Sequence, residues 1–166
     1  FNMTTMSFAV FFRGIALAET GRIEEGIALL KGGIDVCEKF GVSMRLASLY
    51  NSLGYCYGEI HNIERALALN KKGEEIARGL MIKYPMGRGQ YAEMLAQSRI
   101  NLMENYFDQG NLDEAWNGIQ ALKVEAKSED FNWFSHPWES RIKYLAAQIL
   151  LFRNDTAQAD NIIQEN

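Results

Sequence analysis

One arrangement of small residues recurs four times along this chain, and it constrains the fold more than any other feature of the sequence. The recurring position holds a small or slim side chain, at Gly14, Gly54, Met103 and Ala147. Twelve residues after each of these comes another small residue, at Gly26, Ala66, Ala115 and Ala159. The distance between units varies while the internal offset stays fixed, which is typical of a repeated supersecondary unit.

A second marker predicts where the first helix of each unit ends. Seven residues after the small position, the chain has residues that tolerate the positive φ at which many helices end. They are Gly21, His61, Gly110 and Asn154. Three of the four residues that follow them are good N-caps, namely Asn62, Asn111 and Asp155. Each unit is therefore predicted to be a helix, a tight turn and a second helix.

The spacing of apolar residues agrees with helices. In the first helix of the second unit they recur at i, i+3, i+4, i+7 and i+11, as Leu46, Leu49, Tyr50, Leu53 and Tyr57. Helices are predicted over residues 5–19, 22–40, 43–60, 62–83, 89–108, 111–128, 138–153 and 155–165. The sequence therefore predicts an all-α chain of about four antiparallel helical hairpins, in which small residues let paired helices approach closely.

The stretch Tyr50-x-x-Leu53-Gly54-x-x-Tyr57, followed by Ala66, resembles the tetratricopeptide repeat (TPR), with Tyr where Trp is usual. The units exceed the usual ~34 residues, and longer units of this kind resemble the helical repeats of bacterial STAND-type ATPases, MalT-like regulators and kinase or cyclase fusions. The resemblance implies a right-handed, TPR-like solenoid. It also implies a non-catalytic docking or sensing region in a bacterial signalling protein, covalently attached to an effector domain.

The chain is predicted to be one solenoid domain and a fragment of a longer protein. Its units are expected at about residues 5–40, 43–83, 89–128 and 138–165. The chain starts with Phe1 rather than Met, and a helical pattern runs to its end. Two cysteines cannot form a disulfide scaffold, and no secretory leader pattern is present, so a cytoplasmic location is predicted.

The face opposite the apolar stripe of each first helix is predicted to be the binding surface, because these faces line up as one concave wall in a stacked solenoid. The expected contact residues are Asn51, Tyr55, Asn101, Glu104, Arg141, Tyr144 and Gln148. Tyr55, Tyr144 and Arg141 are the favoured anchors, since Tyr and Arg are enriched at binding hot spots. The wall is poor in Lys, which disfavours a clamp for a C-terminal carboxylate. A merely solvated or self-packed wall is the alternative.

The first helix differs from the others because it is apolar on every side. Its inner wall would hold Phe8, Phe11, Phe12 and Ile15. A helix that is apolar all round must be buried by something. We expect burial by a second copy of the chain, which would give a homo-oligomer, or by a preceding repeat. Ordinary packing inside this chain is the alternative.

Charge and the scarcity of reactive residues argue against several functions. A net charge of −4 does not supply the basic surface that nucleic acid binding needs, and no apolar run is long enough to span a membrane. Cys37, Cys56, His61 and His136 show no metal-ligand or catalytic spacing, so no cofactor, metal site or catalytic site is predicted. Docking of a protein or peptide is the favoured function, and a solenoid that senses a small molecule is the alternative.

Overall fold

The computed structural model describes residues 3–125, 127 and 136–164 and confirms the all-α prediction, since these residues contain helices and no strand. The helices are α1 (Met3–Glu19), α2 (Ile23–Lys39), α3 (Leu46–Glu59), α4 (Ile63–Lys83), α5 (Arg88–Asp108), α6 (Leu112–Glu125), α7 (His136–Phe152) and α8 (Thr156–Gln164). A short 3₁₀ turn, Pro85–Gly87, links α4 to α5. The predicted helix ends at 128 and 165 lie outside the described residues.

The turn inside each hairpin has the backbone conformation that the sequence predicts. The second residue after the first helix has positive φ in all four hairpins: Gly21 (80°), His61 (55°), Gly110 (78°) and Asn154 (60°). The following backbone N–H then reaches back to a carbonyl in the last helical turn, as from Asn62 to Tyr57 at 2.9 Å. This 6→1 hydrogen bond is the mark of a helix ended by a left-handed residue.

Small residues bring the paired helices together. A Cβ at Gly26 would lie 2.9 Å from the carbonyl oxygen of Gly14, so the first hairpin is closed almost backbone to backbone. Gly54 has a second role, because a Cβ there would lie 2.6 Å from the side-chain oxygen of Asn70. The small residue thus also leaves room for a polar side chain inside the second hairpin.

The hairpins stack side by side into a solenoid with one extended core. Helix α3 contacts both α1 and α5, and α5 contacts α7, so the odd-numbered helices form one layer. We call α1, α3, α5 and α7 the inner helices and the remaining helices the outer helices. Fully buried side chains run between the layers, among them Leu30, Leu49, Ile100, Ile119, Leu122 and Ile149. Among the described helices, none is both long and apolar enough to cross a membrane.

Candidate functional site

A groove runs along the exposed side of the inner helices and has two adjoining halves. The N-terminal parts of the helices line a cavity of about 570 Å³, which we call the aromatic half because Phe8, Phe11 and Phe12 lie in it. The C-terminal parts line a cavity of about 430 Å³, which we call the acidic half. Glu19, Tyr55 and Arg141 line both cavities and form the waist between them.

The aromatic half presents rings from the middle of α1. The Phe8 and Phe12 rings stack with centroids 6.4 Å apart, and Phe11 meets Phe12 edge to face at 5.0 Å. The guanidinium of Arg45 covers the Phe8 ring at 3.7 Å from its centroid, which is a cation–π contact. Phe12 stays 62% exposed. A large apolar ring is therefore left open to a partner in a concave site.

The floor of the aromatic half is polar and rests on a buried amide network. Asn70 is fully buried in α4, and its side-chain oxygen accepts hydrogen bonds from Asn51 at 3.5 Å and Asn101 at 3.3 Å. Its side-chain nitrogen donates to Asn105 at 3.2 Å. The amides of Asn51 and Asn101 are thus buried and hydrogen-bonded, so these two residues shape the floor of the groove rather than project from it.

Ser52 is the exception on this floor. Its side chain is 1% exposed and belongs to the lining of the aromatic half. Within the described part of the chain, its hydroxyl is the one buried side-chain polar atom without a hydrogen-bond partner. Buried hydroxyls are normally hydrogen-bonded, because an unmet bond costs free energy. The lining of the aromatic half therefore contains a buried hydroxyl whose hydrogen-bonding capacity is unused.

The waist is held by hydrogen bonds between neighbouring inner helices. The Tyr55 hydroxyl donates to the Glu19 carboxylate at 2.7 Å, which ties α3 to α1. Arg141 donates to both carboxylate oxygens of Glu104, at 3.1 and 2.5 Å, and to the side-chain oxygen of Asn101 at 2.9 Å. This bidentate pairing fixes the guanidinium against α5. Burial raises the pKa of the Tyr55 hydroxyl, and its hydrogen bond to Glu19 adds to this rise.

The acidic half contains more negative than positive charge. Its described lining has four carboxylates, from Glu19, Glu59, Glu104 and Asp108, and the single guanidinium of Arg141. Burial raises the pKa of Glu104, Arg141 acts in the opposite direction, and the negative charges of Asp108 and Glu59 add to the rise. Burial also raises the pKa of Asp108, although His61 acts in the opposite direction. The charged forms of these two carboxylates are therefore destabilised in the folded protein.

Every contact residue expected from the sequence lines this groove. Asn51, Tyr55, Asn101 and Arg141 line the aromatic half, and Tyr55, Glu104, Arg141, Tyr144 and Gln148 line the acidic half. Phe8, Phe11, Phe12 and Ile15, expected to meet a second copy or a preceding repeat, line the same groove. The two surfaces expected from the sequence are thus one site. That these residues bind a partner stays a prediction.

Two features of the site were missed by the sequence reasoning. Asn70 and Asn105 support the floor from below, and Glu19 joins the waist. A signal for Asn70 was present, because Ala66, Asn70 and Gly73 share one buried helical stripe on which an amide is unusual. A signal for Glu19 was also present, because the first helix was predicted to end at this residue.

The two cysteine thiols lie in buried positions that disfavour their reactive, deprotonated form. Cys37 and Cys56 are buried free thiols. Burial raises the pKa of both, that of Cys56 to about 11, which disfavours the thiolate that a nucleophile or metal ligand would need. No group of His, Cys, Asp and Glu that could hold a metal ion occurs in the portion of the chain that the structure describes.

The fold is a TPR-like helical solenoid, and such folds are commonly those of non-catalytic protein–protein interaction scaffolds. Residues 96–115 match the sequence model of the tetratricopeptide repeat family. This segment covers the second half of α5, the turn at Gly110 and the start of α6.

Solved structures that are similar to this chain include the following two. One contains nearly identical TPR-like repeats described as those of a kinesin light chain from Podosopora anserina, in a variant with one substitution. It is 14% identical with a TM-score of 0.45, and the match covers 99% of this chain and 94% of that chain. A second is MamA from MSR-1, 16% identical with a TM-score of 0.31, over 95% of this chain and 92% of that chain. No curated protein matches this sequence.

Proposed function

We propose that this protein is a non-catalytic interaction domain that docks a segment of a partner protein in the groove of its inner helices. The observation that supports this function best is the groove itself, where an exposed phenylalanine cluster lies beside a polar floor. Interfaces commonly combine aromatic anchors with a polar rim in this way. The solenoid supplies the rigid frame that such a docking site needs.

The shape of the groove favours an extended occupant. The two halves share the waist formed by Glu19, Tyr55 and Arg141, so one chain segment can lie across both. Tyr144, which is 68% exposed, supplies an aromatic side chain at the acidic end that matches Phe12 at the other. An elongated groove with an anchor at each end suits a peptide better than a compact small molecule.

The cations of the groove argue against recognition of a partner's carboxylate. Arg45 and Arg141 are the only basic residues in the described lining of the two halves. Arg45 covers the Phe8 ring, and Arg141 is paired with Glu104. Neither guanidinium is available for a C-terminal carboxylate, which agrees with the disfavoured clamp.

The test is a selection of twelve-residue peptides from a random displayed library, followed by affinity measurement on the selected peptides. Phe12→Ser is expected to weaken binding about tenfold or more, because it removes an exposed aromatic anchor from the groove. Phe40→Ser is the matched control, since Phe40 is equally 62% exposed but lies at the end of α2, outside the groove lining. This control should bind like the wild type.

Equal affinities of the two variants would place the site elsewhere and contradict the proposal. Circular dichroism and thermal unfolding of both variants show whether the solenoid stays folded. Tyr144→Ala gives a second readout at the far end of the groove, where it should also weaken binding. The attached effector domain and the bacterial signalling role stay predictions from the family resemblance, and the cytoplasmic location stays a prediction from the cysteine content and the lack of a secretory leader pattern.

A further inference from the structure

The charges at the helix ends differ between three inner and three outer helices of the solenoid. Helices α2, α4 and α6 have acidic residues in the first turn and a lysine in the last, which suits the helix dipole. Helices α1, α3 and α5 have neither feature. Instead, their final residues are Glu19, Glu59 and Asp108. Helix α7, with Glu139 in its first turn, and α8, with no charge in either end turn, follow neither pattern. Three neighbouring inner helices thus place a carboxylate at their own negative end.

This arrangement concentrates negative potential in one place. All three carboxylates line the acidic half, where Glu104 adds a fourth. Glu19 accepts a hydrogen bond from Tyr55 and Glu104 is paired with Arg141, whereas Glu59 and Asp108 have no ion pair with any residue that the structure describes. A carboxylate at a helix C-terminus is unfavourable, and a cation there is favourable. The fold therefore leaves the acidic half short of positive charge.

Ser52 supplies an independent sign of an absent occupant. Its buried hydroxyl lies in the groove lining without a hydrogen-bond partner, one helical turn before Tyr55 of the waist. If the side chain rotates so that this hydroxyl faces the groove, a backbone N–H or C=O group of a bound peptide would satisfy it.

We propose that the occupant is a cationic, partly apolar peptide segment, with a Lys or Arg side chain in the acidic half and an aromatic or aliphatic side chain against Phe8, Phe11 and Phe12. The proposal rests on the docking function above and adds the chemistry of the partner. A bound Lys or Arg side chain would pair with Glu59 and Asp108, which have no ion pair with any residue that the structure describes. A neutral or acidic segment would leave Glu59 and Asp108 without an ion pair.

The geometry also sets the spacing within the peptide. Phe12 and Glu19 are seven residues apart on α1, which is about 10 Å at 1.5 Å per helical residue. An extended peptide advances about 3.3 Å per residue. The basic residue should therefore stand about three residues from the apolar anchor.

The experiment uses the peptides from the library selection and two doubly substituted proteins. Selected peptides should be enriched in Lys or Arg about three residues from an aromatic or aliphatic residue. Replacing that basic residue by Glu should weaken binding about tenfold or more. The variant Glu59→Gln/Asp108→Asn should weaken binding of the original peptides about three- to tenfold. The matched control is Glu24→Gln/Glu75→Gln, which changes the net charge equally on exposed residues of α2 and α4 outside the groove.

The outcomes separate this inference from the docking function. If Phe12→Ser abolishes binding while Glu59→Gln/Asp108→Asn leaves it unchanged, the groove docks peptides and the cationic preference is wrong. If neither variant affects binding, both proposals fail. Selection of neutral or acidic peptides overturns the inference, as does a dimer in sedimentation equilibrium that Phe12→Ser dissolves, because a second copy would then fill the groove.

Discussion

At the scale of single residues, the second hairpin depends on the match between Gly54 and Asn70. Asn70 connects α4 to α3 and α5 through Asn51, Asn101 and Asn105, and it fits only because Gly54 has no side chain. Each amide has a defined partner, so the network favours one register of the second hairpin against the third. A satisfied polar network of this kind rigidifies the part of the core that supports the groove floor.

Gly54→Ala should therefore destabilise the protein by about 1–3 kcal/mol, because the new Cβ would lie 2.6 Å from the Asn70 side-chain oxygen and force the network to move. Gly79→Ala is the control in the neighbouring helix, where a Cβ meets nothing within 4 Å. It should stabilise the protein by about 0.5–1 kcal/mol through helix propensity. Urea unfolding of both variants measures the difference, and two shifts of the same sign would contradict this account.

At the scale of elements, the turn inside each hairpin was predictable and the helix starts less so. Positive φ is a local property of Gly, Asn and His, so the sequence alone located Gly21, His61, Gly110 and Asn154. The start of α3 was predicted at residue 43, but the helix begins at Leu46, and its N-cap Arg45 makes no side-chain capping bond. Local rules miss such a start because the cap signal is lacking.

The turn conformation can be tested at Gly21, which has φ +80° and open space around it. Gly21→Ala should destabilise the protein by about 1–2 kcal/mol, because the cost is that of a left-handed alanine and not of a clash. Gly32→Ala, in the middle of α2 and also in open space, should shift the stability in the opposite direction. Thermal or urea unfolding of the Gly21→Ala and Gly32→Ala variants measures both changes in stability. A neutral Gly21→Ala would mean that the turn relaxes to another conformation.

Features that depend on one helix could be predicted from the sequence, whereas features that depend on packing between helices could not. The concave residues were predictable because helical geometry fixes which face of an inner helix points away from the core. The burial of Asn51 and Asn101 was not predictable, because it depends on Asn70, which reaches them from the outer layer. The phenylalanine cluster was located on the inner wall, but its union with the acidic residues into one groove required the packing of all four hairpins.

At the scale of the whole molecule, the inner helices run in the same direction, so the groove has two chemically different halves. The middle of α1 carries the phenylalanines of one half, and the C-terminal residues Glu19, Glu59 and Asp108 carry the negative charge of the other. Outer helices with the opposite charge pattern show that the chain follows the helix dipole elsewhere. These three carboxylates are unfavourable at the ends of their own helices, yet they share one site. Such clusters are typical of sites that are kept for function at the expense of stability.

Asp108→Asn tests this cost through its pH dependence. Burial raises the pKa of Asp108 above the ordinary aspartate value of 3.8, against the opposing effect of His61, so the folded protein holds the proton more tightly than the unfolded chain. The stability of the wild type therefore falls as the pH rises from the ordinary pKa through the raised one. The variant lacks this loss and should have the higher urea midpoint at pH 7. Its advantage should shrink as the pH is lowered toward about 4, where the aspartate of the wild type becomes protonated. An advantage that is independent of pH, or a lower midpoint at pH 7, would show that the charge of Asp108 does not oppose folding.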